Sequence, residues 1–144
     1  MPSEEEMAVV KTFVEEVINS GNVEKVYELV APDHVNNDPT APDHAPGAQG
    51  IKDLIGAYRA GFPDLRFETG QMFAVDGKVA HHWIMTGTHE GEFMGTKPTG
   101  NKVEAVGVEI NHVEDGRIFS PWTVSDSLSL MRQLGLTPQP ADSS

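Results

Sequence analysis

The 144 residues contain no cysteine, so any chemistry must come from carboxylates, imidazoles, hydroxyls and amides. Six histidines are the first candidates. His34 and His44 share a proline-rich stretch with Asp33, Asp38 and Asp43. These are possible metal donors, but their spacing is not diagnostic, so a solvated loop and no bound metal are expected. His81 and His82 are adjacent in an alternating segment and face opposite sides of a sheet, so at most one enters a pocket. His82 is carried as that candidate. His89 stands at the entrance of a glycine-rich connection, and His112 faces away from Glu109 and Asn111. A lone imidazole is useful near neutral pH but is more often structural.

Two carboxylates stand out. Glu109 lies between Val108 and Ile110 in an apolar run. If buried, its pKa rises and it can act as acid or base, and the competing reading is an exposed strand residue paired with a neighbour. Trp122 and Asp126 share one face of the next segment if it has no bulge, which sets an aromatic wall beside a carboxylate. Asp126 also precedes an apolar helical run, and capping that helix is the stronger reading of it. Glu109 and Asp126 are therefore the candidate catalytic residues.

The elements that must position these residues can be read from periodicity. Met7, Val10, Val14, Val17 and Ile18 recur at helical spacing, as do Val23, Val26, Tyr27 and Val30, and then Ile51, Leu54, Ile55 and Tyr58. Helices are expected over about 4–19, 23–30 and 50–61. After Pro63 the period changes to two. Strands are expected over about 65–75, 79–88, 102–113 and 117–125, with Asp76-Gly77 and Asp115-Gly116 as hairpin turns. Leu128, Leu130, Met131 and Leu134 predict a last short helix, followed by a flexible tail from about 136 to 144. Helices first and consecutive hairpin strands after them argue an α+β fold, residues 1–144 forming one domain with a curved antiparallel sheet packed on helices. A pocket in its concave interior is the default site.

Composition removes other classes. Acidic residues number 22 against 10 basic ones, for a net charge of -12, which disfavours nucleic acid and anionic membranes as partners. Phosphate-loop, dinucleotide-binding, nucleophile-elbow and zinc-protease motifs are all missing. The acidic start, Met1 to Glu6, has no apolar core behind it to mark a signal peptide. No apolar run approaches the roughly 18 residues of a membrane span. Zero Cys fits a cytoplasmic location.

Several separate motifs then carry a resemblance. Phe62-Pro63-Asp64-Leu65, the stretch Gly87-Thr88-His89-Glu90-Gly91-Glu92-Phe93-Met94-Gly95-Thr96-Lys97-Pro98-Thr99-Gly100, Asp115-Gly116-Arg117-Ile118, Trp122 with Asp126, and Gln133-Leu134-Gly135 resemble the SnoaL-like polyketide cyclase (ester cyclase) family from about Met7 to Gly135. The resemblance implies the NTF2-like cone, a homo-oligomer (dimer or tetramer) packed through its sheet, no cofactor, and a hydrophobic small-molecule substrate bound inside the cone. The founding cyclases close a polyketide ring by intramolecular aldol condensation, with an Asp as acid/base. Residue by residue, the family's loop Asn corresponds to Asn36 and its catalytic Asp to Thr123. Its pocket His corresponds to Glu109, and a Gln two residues before that His corresponds to Gly107. The principal acid/base is thus replaced by Thr123, which has no useful pKa near neutrality.

The sequence therefore predicts a cofactor-free enzyme using enolate chemistry on a hydrophobic cyclic or polyketide-like compound, with Glu109 or Asp126 moving the proton. Asn36, His82, Trp122 and Thr123 would hold the substrate. A cofactor-independent hydroxylase of polyketide tailoring and a non-catalytic ligand-binding module are the alternatives.

Overall fold

A computed structural model describes residues 2–32, 47–119 and 122–136. Helix α1 (Pro2–Thr12) continues as a π-helical stretch, Phe13–Asn19, whose wider turn closes through Ser20 N–H to the Glu15 carbonyl at 2.9 Å. A short 3-10 turn (Val23–Lys25) leads into α2 (Val26–Leu29), and α3 spans Gly47–Gly61. The sheet follows as β1 (Arg66–Val75), β2 (Lys78–Thr88), β3 (Lys102–Glu114), β4 (Arg117–Ile118) and β5 (Trp122–Ser125), and α4 (Ser127–Gln133) comes last. All pairings among these strands are antiparallel, in the order β1-β2-β3, with β4 and β5 on the far edge of β3. The α+β architecture expected from the periodicity is the one observed.

Turn chemistry builds the hairpins. Asp76 and Gly77 both take positive φ (49° and 77°), as do Asp115 and Gly116 (51° and 75°). Two consecutive left-handed residues give the turn whose twist matches the flanking strands.

Side-chain clips fix the helices to the sheet. The Asn19 amide donates to the Phe67 carbonyl (2.9 Å) and accepts from the Phe67 N–H (2.7 Å), while Arg59 Nη1 donates to the Ile18 carbonyl (2.6 Å). Carbonyls orphaned at the end of the first helix are thereby satisfied. The main core joins Val17, Val26, Ile51, Ile55, Phe62, Trp83, Met85, Phe93 and Val103 between helices and sheet. Phe62 is fully buried, which alone contributes about 2–3 kcal/mol. A second, smaller cluster of Val10, Val79, Val113 and Ile118 lies at the other end of the same face.

Two strands depart from simple alternation. In β1, Thr69 lies opposite Trp83 but Met72 lies opposite His81, so one extra residue is taken up between them. Past this bulge Phe73 and Val75 point to the outer face and are exposed. The single strand expected over 117–125 is two strands. Ile118 lies opposite Val113, whereas Trp122 lies opposite Ile110, again one residue out of step. Among the described residues no helix is long and apolar enough to cross a membrane.

Candidate active site

Strand pairing decides which side chains face the helices. His81 lies opposite Glu109, Trp83 opposite Gly107 and Val79 opposite Asn111. Across the other edge of β3, Thr123 lies opposite Glu109 and Ser125 opposite Gly107. Side chains directly opposite share a face, so all of these belong to the inner, helix-covered side. Along β2 and β3 this face is apolar at both ends, with Val79 and Val113 in the small cluster and Trp83, Met85, Ala105 and Val103 in the main core. Between the two ends His81, Glu109 and Asn111 form a polar belt.

His81 is 4% exposed. Its Nε2 stands 3.8 Å from Glu109 Oε2, and the Glu109 side chain keeps 23% exposure. That distance is beyond hydrogen-bond reach. Burial, then the neighbouring charge of His82, lowers the His81 pKa to about 4. Desolvation of the deep imidazole outweighs the pull of a partly exposed carboxylate at this range. At neutral pH the pair is therefore a carboxyl group facing a neutral imidazole rather than an ion pair.

Several inward polar atoms have no hydrogen-bond partner among the described residues. They are His81 Nδ1, Trp83 Nε1, and both the Nδ2 and Oδ1 of Asn111, which is 1% exposed. An unsatisfied buried polar group costs about 1–3 kcal/mol. Four such atoms gather on this one sheet face, more than a packed core ordinarily leaves unsatisfied.

Trp83 supplies the aromatic surface. Its indole extends over Gly107, where an added Cβ would come within 2.1 Å of Cζ2. Its other neighbour is Phe67, with ring centroids 4.9 Å apart. Glycine at 107 is therefore the condition for this indole to lie flat on the sheet.

Glu109 and Thr123 are brought together as cross-strand partners. Other expectations are corrected. Trp122 is 47% exposed on the outer face, because the register shift before it reverses its side. Trp83 holds the inner position that Trp122 was expected to hold. His82 lies opposite Val108, on the outer face, with its ring packed over Gly70. His81 is the inward member of the pair. Asp126 is exposed, and its Oδ1 accepts from Ser129 N–H at 3.1 Å as the N-cap of α4, the capping role that its place before the helix offered. Asn36 and the His34–His44 stretch lie outside the described residues. Among the described residues no three His, Asp or Glu side chains gather into a metal-binding group. A surface groove lined by Asp76, Lys78, His112, Glu114 and Phe119 is open to solvent and holds none of the inward polar groups.

A model of the SnoaL-like polyketide cyclases matches residues 8–134. The chain belongs to that family. Nogalonic acid methyl ester cyclase of Streptomyces nogalater is 28% identical over 127 residues, covering 86% of this chain and 92% of that protein. The crystal structure of IdmH, a proposed polyketide cyclase from Streptomyces antibioticus, is 35% identical with a TM-score of 0.77, covering 90% of this chain and 98% of that one. AclR, a proposed hydroxylase from Streptomyces galilaeus, is 28% identical with a TM-score of 0.82, covering 94% and 99%. The fold is accordingly the NTF2-like α+β cone of the polyketide cyclases.

Much of the family's motif sequence shapes the frame. Asp64 accepts from Thr88 N–H (2.7 Å) and Thr88 Oγ1 (2.8 Å), which ties the α3–β1 turn to the end of β2 and lowers the Asp64 pKa. Gly91 sits where a Cβ would strike the Ala60 carbonyl, and this close approach lets Phe93 pack against Phe62 and Tyr58. Gln133 exchanges hydrogen bonds with the backbone of Glu104 at 2.8 Å each, clamping α4 to β3.

Proposed function

We propose that this protein is a cofactor-free enzyme acting on a hydrophobic cyclic or polyketide-like substrate through an enolate, with Glu109 as the acid/base group. The observation that carries this reading is the position of Glu109. It faces inward between Thr123 and His81, on a face where His81 Nδ1, Trp83 Nε1 and the Asn111 amide find no hydrogen-bond partner among the described residues.

In this mechanism the Glu109 carboxylate takes a proton from a carbon α to a carbonyl. The resulting enolate carbon attacks a second carbonyl of the same molecule and forms the ring-closing C–C bond. The alkoxide so produced takes its proton from Glu109. Atoms balance within one substrate molecule, and no co-substrate is needed. Developing negative charge on oxygen is stabilised by neutral donors, the His81 N–H and the Thr123 hydroxyl, with the Asn36 amide as a further donor through the family resemblance. Trp83 offers the flat apolar surface on which a ring system rests.

A second reading is favoured by one observation. A relative of 28% identity is a proposed hydroxylase, and by the family resemblance Thr123 stands where the aldol cyclases carry their acid/base Asp. Nogalonic acid methyl ester, the compound named for the Streptomyces nogalater relative, separates the readings. The cyclase reading expects ring closure without change of mass in the absence of oxygen. Oxygen-dependent gain of one oxygen atom would favour the hydroxylase. Tight binding with neither product would favour a ligand-binding module.

A further inference from the structure

We infer that Asn111, together with the Nδ1 face of His81, is a recognition station for a hydroxyl group of the ligand and a determinant of which substrates the interior accepts. This rests on the reading that the inner face of the sheet is the substrate site.

Asn111 is the least accommodated polar residue of the described core. It stands on the inner face of β3, two residues beyond Glu109 and two before Val113. Its strand partner is Val79, and Val79 and Val113 both belong to an apolar cluster. A leucine would suit that setting, yet an amide occupies it at 1% exposure with neither Nδ2 nor Oδ1 bonded. His81 lies diagonally across from it on the same face, with Nδ1 also unpartnered. Diagonal neighbours in an antiparallel pair are about 7–8 Å apart at the backbone, so one small group between the two side chains reaches both.

The chemistry of these atoms selects the group. Asn111 offers two N–H donors and a carbonyl acceptor. His81 is neutral because burial depresses its basicity, so when its proton is on Nε2 it presents Nδ1 as an acceptor. A carbonyl oxygen satisfies only the Asn111 donors. A carboxylate satisfies no acceptor and would sit near Glu109 without a cation beside it. A hydroxyl both donates and accepts, so of these three oxygen groups it is the one that answers both sides of the station. A phenol or enol hydroxyl on a planar ring also sets that ring toward Trp83, which lies on the same face.

The test measures binding alone, by calorimetry, with 1-naphthol and its methyl ether as probes. The two share a ring system, but only 1-naphthol donates a hydrogen bond. Wild type is expected to prefer 1-naphthol by about tenfold or more. Asn111→Leu is expected to lose that preference while binding the methyl ether as wild type does. The same variant should melt at or above the wild-type temperature, since it removes an unsatisfied buried amide. Asn111→Ser, which keeps a donor and an acceptor on a shorter side chain, should retain part of the preference and serves if the leucine variant does not fold. The proposal is overturned if 1-naphthol does not bind saturably. It is also overturned if wild type does not discriminate, or if Asn111→Leu discriminates as wild type does, as it would if the amide only holds ordered water. Glu109→Gln should leave this discrimination intact while lowering turnover by about 100-fold or more, so failure of the acid/base reading and failure of this one are read separately.

Discussion

His81 is the titratable group whose protonation the fold most opposes. Its pKa of about 4 in the folded chain lies below the ordinary 6.5. Between those values the unfolded chain holds a proton that the folded chain does not, so stability rises with pH across that window. The loss is complete below pH 4, absent well above 6.5, and amounts to about 3 kcal/mol in full. Urea unfolding at pH 7 and at pH 4.5 should show most of that decrease, and His81→Leu should flatten it. Equal pH dependence in wild type and variant would contradict the burial argument. Asp64 acts in a different window: its lowered pKa stabilises the fold above the ordinary 3.8, and that contribution goes only in stronger acid. At the scale of single residues, the sequence shows that one of His81 and His82 faces inward but not which one. Choosing between them requires the β2 pairing register, which no residue in β2 itself specifies.

Elements were legible as far as periodicity carries, and bulges set the limit. The strand expected over 65–75 is present over Arg66–Val75, and the one expected over 102–113 is present as Lys102–Glu114. Alternation fails where a strand takes up one extra residue, because a one-residue slip sends every later side chain to the opposite face. That slip turns Phe73 and Val75 outward in β1, and a second slip before β5 turns Trp122 outward and Thr123 inward. Both had signals in the sequence: an isolated Gly70 within a strand pattern and Pro121 within another, each a mark of a bulge. Element context also decides the role of Asp126. Its carboxylate satisfies an orphan N–H of α4, so Asp126→Ala should lower stability by about 1 kcal/mol and leave turnover unchanged. A loss of turnover at unchanged stability would return Asp126 to the catalytic set.

At the scale of the whole molecule the sheet has one face against the helices and one face open. Phe73, Val75, Val106, Val108, Trp122 and Leu128 are all exposed, and all but Leu128 lie on strands. Large apolar side chains exposed together on one sheet face are the pattern expected of an interaction surface. A second copy of the chain is the expected occupant, since stable interfaces bury about 1,600 Å² in total. Light scattering at micromolar concentration should report at least twice 15.6 kDa, and Val108→Arg with Trp122→Ala should shift the protein toward monomer. A wild-type mass of 15.6 kDa would refute self-association. The inner face is where the proposed chemistry lies, and there the fold was more legible than the candidate site. Periodicity announces a concave sheet, but Trp83 and Asn111 become candidates only through their cross-strand partners. The measurement that bears most directly on the assignment of Glu109 is the turnover of Glu109→Gln on a ring-closing substrate, with substrate affinity measured alongside. The variant keeps the shape of the side chain and removes its proton exchange. The expected result is a fall in turnover of about 100-fold or more with affinity preserved. Full turnover in Glu109→Gln would contradict the assignment and move catalysis to another group.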